Sequence, residues 1–389
     1  MKKVLFLAIG MFALGFDAYV IAGLIPGISE TYGASASQVG QAVSVFTLFY
    51  AISAPVFASI LAGKPIKKVL LISLLIFGGA NALTALSPNF TVFLISRAIA
   101  GIGAGLFSPL AVAGSTMLVP DGEKGRALGL TIGGMSMGTV LGVPIGLYIA
   151  DIFNWQFVMW VVAILSFIGA ISILKFLPQV PVSAPPAIKE RLAMFIDKRV
   201  TITVLITFFA SISSLGLYTY LSPMLQEMDP MGNLTMYLWS WGLGGLFGSL
   251  FIGYLIDYFK KPKALALMIL IILTVSIICI PLMINLSIVK YLPFFIWGAM
   301  GWAAQAPQQH ILLSYQPKQG SAAVALNSSI NYLGSSVGAT LGGVVISLGM
   351  GTMSLIYFAV FSIGISVMLQ LYSMKSNFSM IKTEKALDK

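Results

Sequence analysis

Twelve stretches of this chain are apolar and long enough to cross a bilayer, and little lies between them. A helix spanning a hydrocarbon core of ~30 Å needs about 20 mostly apolar residues. Such runs occur near 4–26, 38–62, 68–87, 90–117, 125–150, 155–177, 200–226, 233–257, 264–284, 290–314, 321–348 and 352–373. Several exceed the minimum, which predicts tilt. The breaks carry turn or charge signals, among them "AGKPIKK", "SPNF", "VPDGEKGR" and "FKKPK". Only 9% of the 389 residues are charged, against about 25% in a soluble domain. So few charges cannot wet a surface of this size, and the solvent for most of the chain is lipid. The opening "MKKVLFLAIGMFALGF" imitates a signal peptide, but its apolar run continues to about Pro26, which predicts a retained first helix. The single cysteine, Cys279, allows no intrachain disulfide and no thiolate cluster.

Basic residues concentrate in loops that stay in the cytoplasm. With the N-terminus inside, all but two of the 22 lysines and arginines fall in inner segments. The exceptions are Lys290, outside, and Arg97, within a span, while Glu30, Asp151, Glu227 and Asp229 face outward. The net charge of +10 therefore reports orientation against an anionic inner leaflet and excludes nucleic acid as a partner. This predicts a multi-pass protein of the cell membrane with both termini in the cytoplasm. The Pro-rich stretch from 178 to 199 divides it into a six-span unit over 1–177 and another over 200–374, followed by a tail over 375–389.

The two units repeat each other. "GTVLGVPIG" places Gly138, Gly142 and Gly146 in span five, and "GSSVGATLG" places Gly334, Gly338 and Gly342 in span eleven, an offset of 196. Gly103 and Pro109 of span four recur as Gly301 and Pro307 of span ten, an offset of 198, and Pro26 recurs as Pro223 at 197. Three pairings at nearly one offset point to a duplicated six-helix unit. Parallel repeats are a recurring transporter architecture, with the substrate site between the halves near the midplane. Glycines spaced by four let helix backbones approach closely.

With twelve spans in two halves and these motifs, the chain resembles the major facilitator superfamily. Within it, the likeness is to twelve-span drug:proton antiporters, in the branch of purine base, nucleoside and arabinose efflux proteins. "FLISRAIAGIGAGLFSP" looks like the family's span-four motif, with Arg97, Gly101, Gly103 and Gly105. "GTVLGVPIG" is similar to the span-five antiporter motif, with Pro144 after Gly142. "GYLIDYFKKPK" resembles the loop motif between spans eight and nine, in Gly253, Asp257, Lys260 and Lys261, and "APQQHILL" is similar to a stretch of the efflux branch. The resemblance implies an all-α fold of two pseudo-symmetric six-helix bundles, working as a monomer by alternating access, with the proton gradient in place of any cofactor. The loop between spans two and three departs from the pattern. Ala58 and Ala62 stand where glycine and aspartate are expected, which removes the first-half latch that the family's aspartate supplies.

An ionisable side chain at the centre of a spanning helix costs about 2.5–3.5 kcal/mol on insertion scales, so it marks function by default. Asp17 and Arg97 are the clear cases. At ~1.5 Å per residue, Asp17 lies roughly 20 Å into span one from the inside and Arg97 roughly 10 Å into span four from the outside, nearly the same depth. Both spans are expected to line the cavity. The two residues are expected to communicate, directly or through water, as the proton-coupling site. Desolvation disfavours the ionised carboxylate and a guanidinium favours it, so alternating exposure can switch its protonation. A static ion pair fixing helix packing is the competing reading.

Substrate candidates near the midplane are Tyr19, Phe46, Tyr50, Tyr218, Trp239, Gln305, Gln308, Asn327 and Asn331. Aromatic faces with a few amides suit a flat, moderately polar molecule such as a nucleobase, or an amphipathic drug. Plain interhelical packing competes for each of them, and His310 falls near the inner end of span ten, where a structural role is favoured over a proton relay. Proton-driven efflux is the leading expectation and uptake or facilitation by the same fold the alternative. A polytopic enzyme would need a catalytic cluster, yet no His/Asp/Glu metal spacing, G-x-S-x-G or phosphate-cradling loop occurs. No filter loop or ring of like charges suggests a channel.

Overall fold

The computed structural model describes residues 1–61, 64–179 and 188–387, and Ala62 and residues 180–187 of the Pro-rich stretch lie outside them. The first half comprises α1 (Lys2–Tyr32), α2 (Ala36–Leu61), α3 (Ile66–Ala85), α4 (Phe90–Met117), α5 (Lys124–Met137), α6 (Val143–Ile152) and α7 (Trp155–Phe176). A short α8 (Ile188–Ala193) precedes the second half. That half comprises α9 (Lys198–Thr219), α10 (Leu221–Met228), α11 (Leu234–Phe259), α12 (Pro262–Met283), α13 (Leu292–Ala303), α14 (Gln305–Tyr315), α15 (Gly320–Ser347) and α16 (Met353–Leu387).

Prolines and asparagines explain where these helices start and break. Asn89, Asn154 and Asn233 cap α4, α7 and α11, each side-chain oxygen accepting from the backbone N–H three residues on at 3.0–3.3 Å. A proline removes the hydrogen bond to the carbonyl four residues back and crowds it. Pro223 accordingly splits α9 from α10 after Thr219, and Pro307 splits α13 from α14 after Ala303. Pro26 and Pro109 are instead absorbed inside α1 and α4. The glycine-rich stretch Gly138–Gly142, followed by Pro144, forms a π-helical turn joining α5 to α6, a widening that recurs at functional positions.

Ten passes among the described residues are long and apolar enough to span a membrane by length and composition. The expected span ten is the broken pair α13–α14. Span eleven is α15, which is continuous but carries Asn327, Asn331 and several serines. Many buried hydroxyls bond a carbonyl of their own helix, as Ser73, Thr84 and Ser166 do at 2.7–2.9 Å.

The duplication reappears in the packing. In the first half α1 packs on α5 and α7, α2 on α4, and α3 on α4 and α7. In the second, α9 packs on α15 and α16, α11 on α13, and α12 on α13 and α16. Gly138 lies against the carbonyl of Phe12, and its counterpart Gly334 against that of Phe208, so a Cβ at either position would strike backbone. The two halves form two six-helix bundles. They meet at the end away from the lysine-rich loops, chiefly through α2 and α15. There Ser37 donates to the Gly343 carbonyl at 2.6 Å and Ser336 to that of Ser44 at 2.8 Å. The Tyr220 phenol, fully buried, fits against Gly40 and Gly342 and donates to the Ala339 carbonyl at 2.7 Å.

Candidate functional site

Asp17 and Arg97 meet. The Arg97 fork makes two parallel bonds to the carboxylate, Nη1 to Oδ1 at 2.8 Å and Nη2 to Oδ2 at 2.9 Å. Nη1 also donates to Asn81 Oδ1 at 3.0 Å, and the Asn81 amide nitrogen donates to the Phe77 carbonyl at 3.0 Å, which fixes its orientation. The Phe46 ring covers the guanidinium, 4.8 Å from its centroid. Arg97 Nε is buried without a hydrogen-bond partner. Both charged side chains are essentially inaccessible, at 0% for Asp17 and 1% for Arg97. A planar two-point match of this kind is what distinguishes arginine from lysine as a carboxylate partner.

The cavity lies elsewhere. A space of about 700 Å³ between the halves is lined by Met11, Tyr19, Tyr50 and Ser108 on one side and by Ser211, Trp241, Trp302, Gln305, Asn331 and Tyr332 on the other. This is within the ~300–1,000 Å³ of small-molecule sites. Its lining runs down to Thr116, Leu128 and Val324, next to the lysine-rich loops, and the cavity opens at that end. At the other end it is stopped by aromatic rings shared between the halves. Tyr50 of α2 packs on Tyr332 of α15 with centroids 3.8 Å apart. Tyr19 of α1 packs among Tyr218, Trp241 and Trp302 at 5.5–5.8 Å. The Tyr218 hydroxyl donates to the Tyr19 carbonyl at 3.3 Å.

Along the second-half wall runs a chain of neutral polar groups. Asn331 Oδ1 accepts from the Ser211 hydroxyl and from Gln305 Nε2, the latter at 2.5 Å. Asn327 Nδ2 donates to Gln305 Oε1 at 3.3 Å. Gln308 reaches Gln370 at 3.1 Å, and Gln370 in turn donates to the Lys263 carbonyl at 2.9 Å.

Of the candidates, Tyr19, Tyr50, Gln305, Gln308 and Asn331 line the cavity. Asn327 is buried behind Gln305, and Tyr218 lies beyond the aromatic stop, in a small void of about 20 Å³. Phe46 faces Arg97 rather than the cavity. Trp239 is half-buried outside the lining, and Trp241, two residues on and so facing roughly the opposite way, occupies the wall instead. Spans one and four do contribute to the lining, but Asp17 and Arg97 themselves do not, because they point into the first bundle behind Phe46 and Tyr50. Tyr332, Trp302 and Ser211 were not among the expected residues. Asp257, Lys260 and Lys261 are exposed at the open end, and Asp257 has no ion pair among the described residues. Lys260 ends α11 in a left-handed conformation, φ 51°. Gly253 is exposed on α11, while Pro144 and Gly146 are buried on α6. His310 is exposed on α14.

Two six-helix bundles around a central cavity, open at one end and sealed at the other, define a multi-pass membrane transporter rather than an enzyme. The chain belongs to the Major Facilitator Superfamily, whose family profile matches residues 7–339. It is 29% identical over 346 residues to the uncharacterized MFS-type transporter YbcL of Bacillus subtilis strain 168, covering 88% of each chain. It is 27% identical over 262 residues to the chloramphenicol resistance protein of Streptomyces lividans, covering 66% of each. A D-xylose–proton symporter of known structure superposes with a TM-score of 0.76 at 16% identity, over 95% of this chain and 96% of that one, a likeness of fold.

Proposed function

We propose that the chain is a proton-coupled exporter of a small organic molecule (a drug, nucleobase, nucleoside or sugar), working as a monomer with both termini in the cytoplasm. The observation that carries this reading is the buried, two-point Asp17–Arg97 pair. Protonating Asp17 removes the charge that the guanidinium fork matches. Arg97 is then left buried with only neutral partners, the remaining carboxyl acceptor, the Asn81 amide oxygen and the face of Phe46, and a buried charge without its counter-ion is costly. The α1–α4 arrangement of this inward-open state is thereby penalised, and the population shifts toward a state that exposes the pair differently. Phe46 connects the pair to the cavity wall, with its ring 6.2 Å from that of Tyr50. The relative named for chloramphenicol resistance and the span-five glycine motif support the outward direction. Gly142 packs on Phe16 of α1 and Gly338 on Ile212 and Gly216 of α9, so each motif keeps its own bundle tight enough to move as a unit.

The test is uptake into inside-out vesicles under an imposed pH gradient, with a panel of chloramphenicol, a purine, a pentose and a lipophilic cation. Asp17→Asn is expected to abolish uphill accumulation while substrate exchange without a gradient persists. Full gradient-driven accumulation by that variant overturns the coupling role. Arg97→Lys keeps the charge and loses the fork, and normal turnover there would assign the pair to packing alone.

A further inference from the structure

The cavity wall contains aromatic rings, hydroxyls and carboxamides, and none of the described residues lining it is Asp, Glu, Lys, Arg or His. We propose that this site takes a net-neutral, flat molecule with an amide-like hydrogen-bonding edge, held against Gln305 and Asn331, and rejects cations and anions alike. The proposal rests on the transporter reading above and narrows its substrate class.

Three observations converge. First, the fixed charges nearest the cavity, Asp17 and Arg97, neutralise each other behind Phe46 and Tyr50 and offer a ligand no counter-ion. An ion closed into such a space loses its water without gaining an opposite charge. Secondly, aromatic faces can hold a cation when they surround a void, but here they are occupied by one another. Tyr50 packs against Tyr332 with tilted rings 3.8 Å apart, and Tyr19 is packed among Tyr218, Trp241 and Trp302. What they leave for a ligand is a mostly apolar wall of ring edges and aliphatic side chains, with the carboxamides to one side. Thirdly, Asn331 Oδ1 already accepts two hydrogen bonds within the protein, while its NH₂ donates to none of the described residues. A carboxamide carries two donors and two acceptor positions. Gln305 Oε1, which among the described residues accepts only from Asn327, keeps an acceptor position beside the Asn331 donors, so the joint edge is neutral and two-sided, and turning the linked amides over together leaves the same kind of edge. The complementary group on a ligand is a carbonyl beside an N–H or hydroxyl, as in a lactam, ureide or aryl amide. A carboxylate or an ammonium has only half of that pattern.

Equilibrium dialysis of the purified full chain, with no gradient, tests this with a matched series. Nicotinamide is neutral, 1-methylnicotinamide is a permanent cation of the same ring and amide, and nicotinate is the anion. Chloramphenicol serves as a larger neutral aryl amide. At least one neutral probe is expected to bind ten-fold or more tighter than both ions, and Asn331→Asp is expected to reverse the order of nicotinamide and its methylated cation. Equal or tighter binding of either ion by the native chain overturns the proposal, as does failure of both neutral probes to bind. Because no proton gradient enters, neutral binding with no gradient-driven transport would sink the coupling role of Asp17 and leave the ligand class standing.

Discussion

Replacing Asp17 by asparagine keeps the volume and one acceptor but removes the charge opposite Arg97. The carboxylate receives two bonds of 2.8 and 2.9 Å in a site closed to solvent. Arg97 would keep Asn81 and the face of Phe46, and its Nε already lacks a partner. Breaking a buried pair from one side costs about 3–5 kcal/mol. The surviving acceptor places this case near the lower end, about 3 kcal/mol, or roughly a hundred-fold at ~1.4 kcal/mol per decade. Removing Arg97 as well, in Asp17→Asn with Arg97→Gln, leaves no uncompensated charge and is expected to recover most of the loss. The assay is reversible denaturant unfolding in detergent micelles, followed by tryptophan fluorescence, for the native chain, both single variants and the double. A double variant less stable than either single, with losses that add within about 0.5 kcal/mol, would refute the reasoning. It would mean that the two charges are stabilised independently.

Asn81→Ala removes an acceptor from Arg97, a bond to a charged group worth about 1.5–3 kcal/mol. It should destabilise by that amount in the native chain and by much less in Arg97→Gln, and the same unfolding assay reads both. Gly40→Val drives a side chain into the buried Tyr220 phenol, where overpacking costs about 1–3 kcal/mol. Spin labels at Ala34 and Leu348 in a Cys279→Ser background should then report a new, longer-distance population at the sealed end. An unchanged distribution would show that Tyr220 is not part of the seal. Outside the spans, Lys290 and Tyr237 each donate to Asp229 at 2.6 Å, and the Lys290 bond foremost holds the carboxyl below its usual range. The folded state therefore binds fewer protons there than the unfolded one. The stabilisation is complete above the ordinary carboxylate value of ~3.9 and fades as pH falls through the depressed one. The gap in unfolding midpoint between the native chain and Asp229→Asn should be constant at neutral pH and close below about pH 4. A gap that widens in acid contradicts this.

The Asp17–Arg97 contact was legible because a charge in an apolar run has few possible partners, and helix rise alone placed both residues at one depth. The duplication was legible because the glycines recur at one offset, and Gly138 and Gly334 sit where a helix backbone meets another backbone and a side chain would not fit. Which aromatic residues face the cavity was not legible. A spanning helix is apolar toward lipid and toward its neighbours, so it carries little of the periodic contrast that marks a buried face. Trp239 and Trp241 are equivalent in sequence, and only packing assigns the second to the wall. Tyr332 and Trp302 escaped for the same reason. The seclusion of the ion pair from the cavity depends on the Phe46 and Tyr50 rings, whose orientation no sequence pattern encodes.

The charge-free lining has an electrical consequence. If a neutral molecule leaves as a proton enters, the substrate that such a lining selects carries no charge to offset the proton's, and each cycle carries current. Transport would then be driven by membrane voltage as well as by the pH difference, with an elementary charge worth ~2.3 kcal/mol per 100 mV. A cell that had lost its pH gradient but kept its potential could still run this pump. In liposomes a potassium diffusion potential alone, at equal pH on both sides, should support accumulation of the neutral substrate.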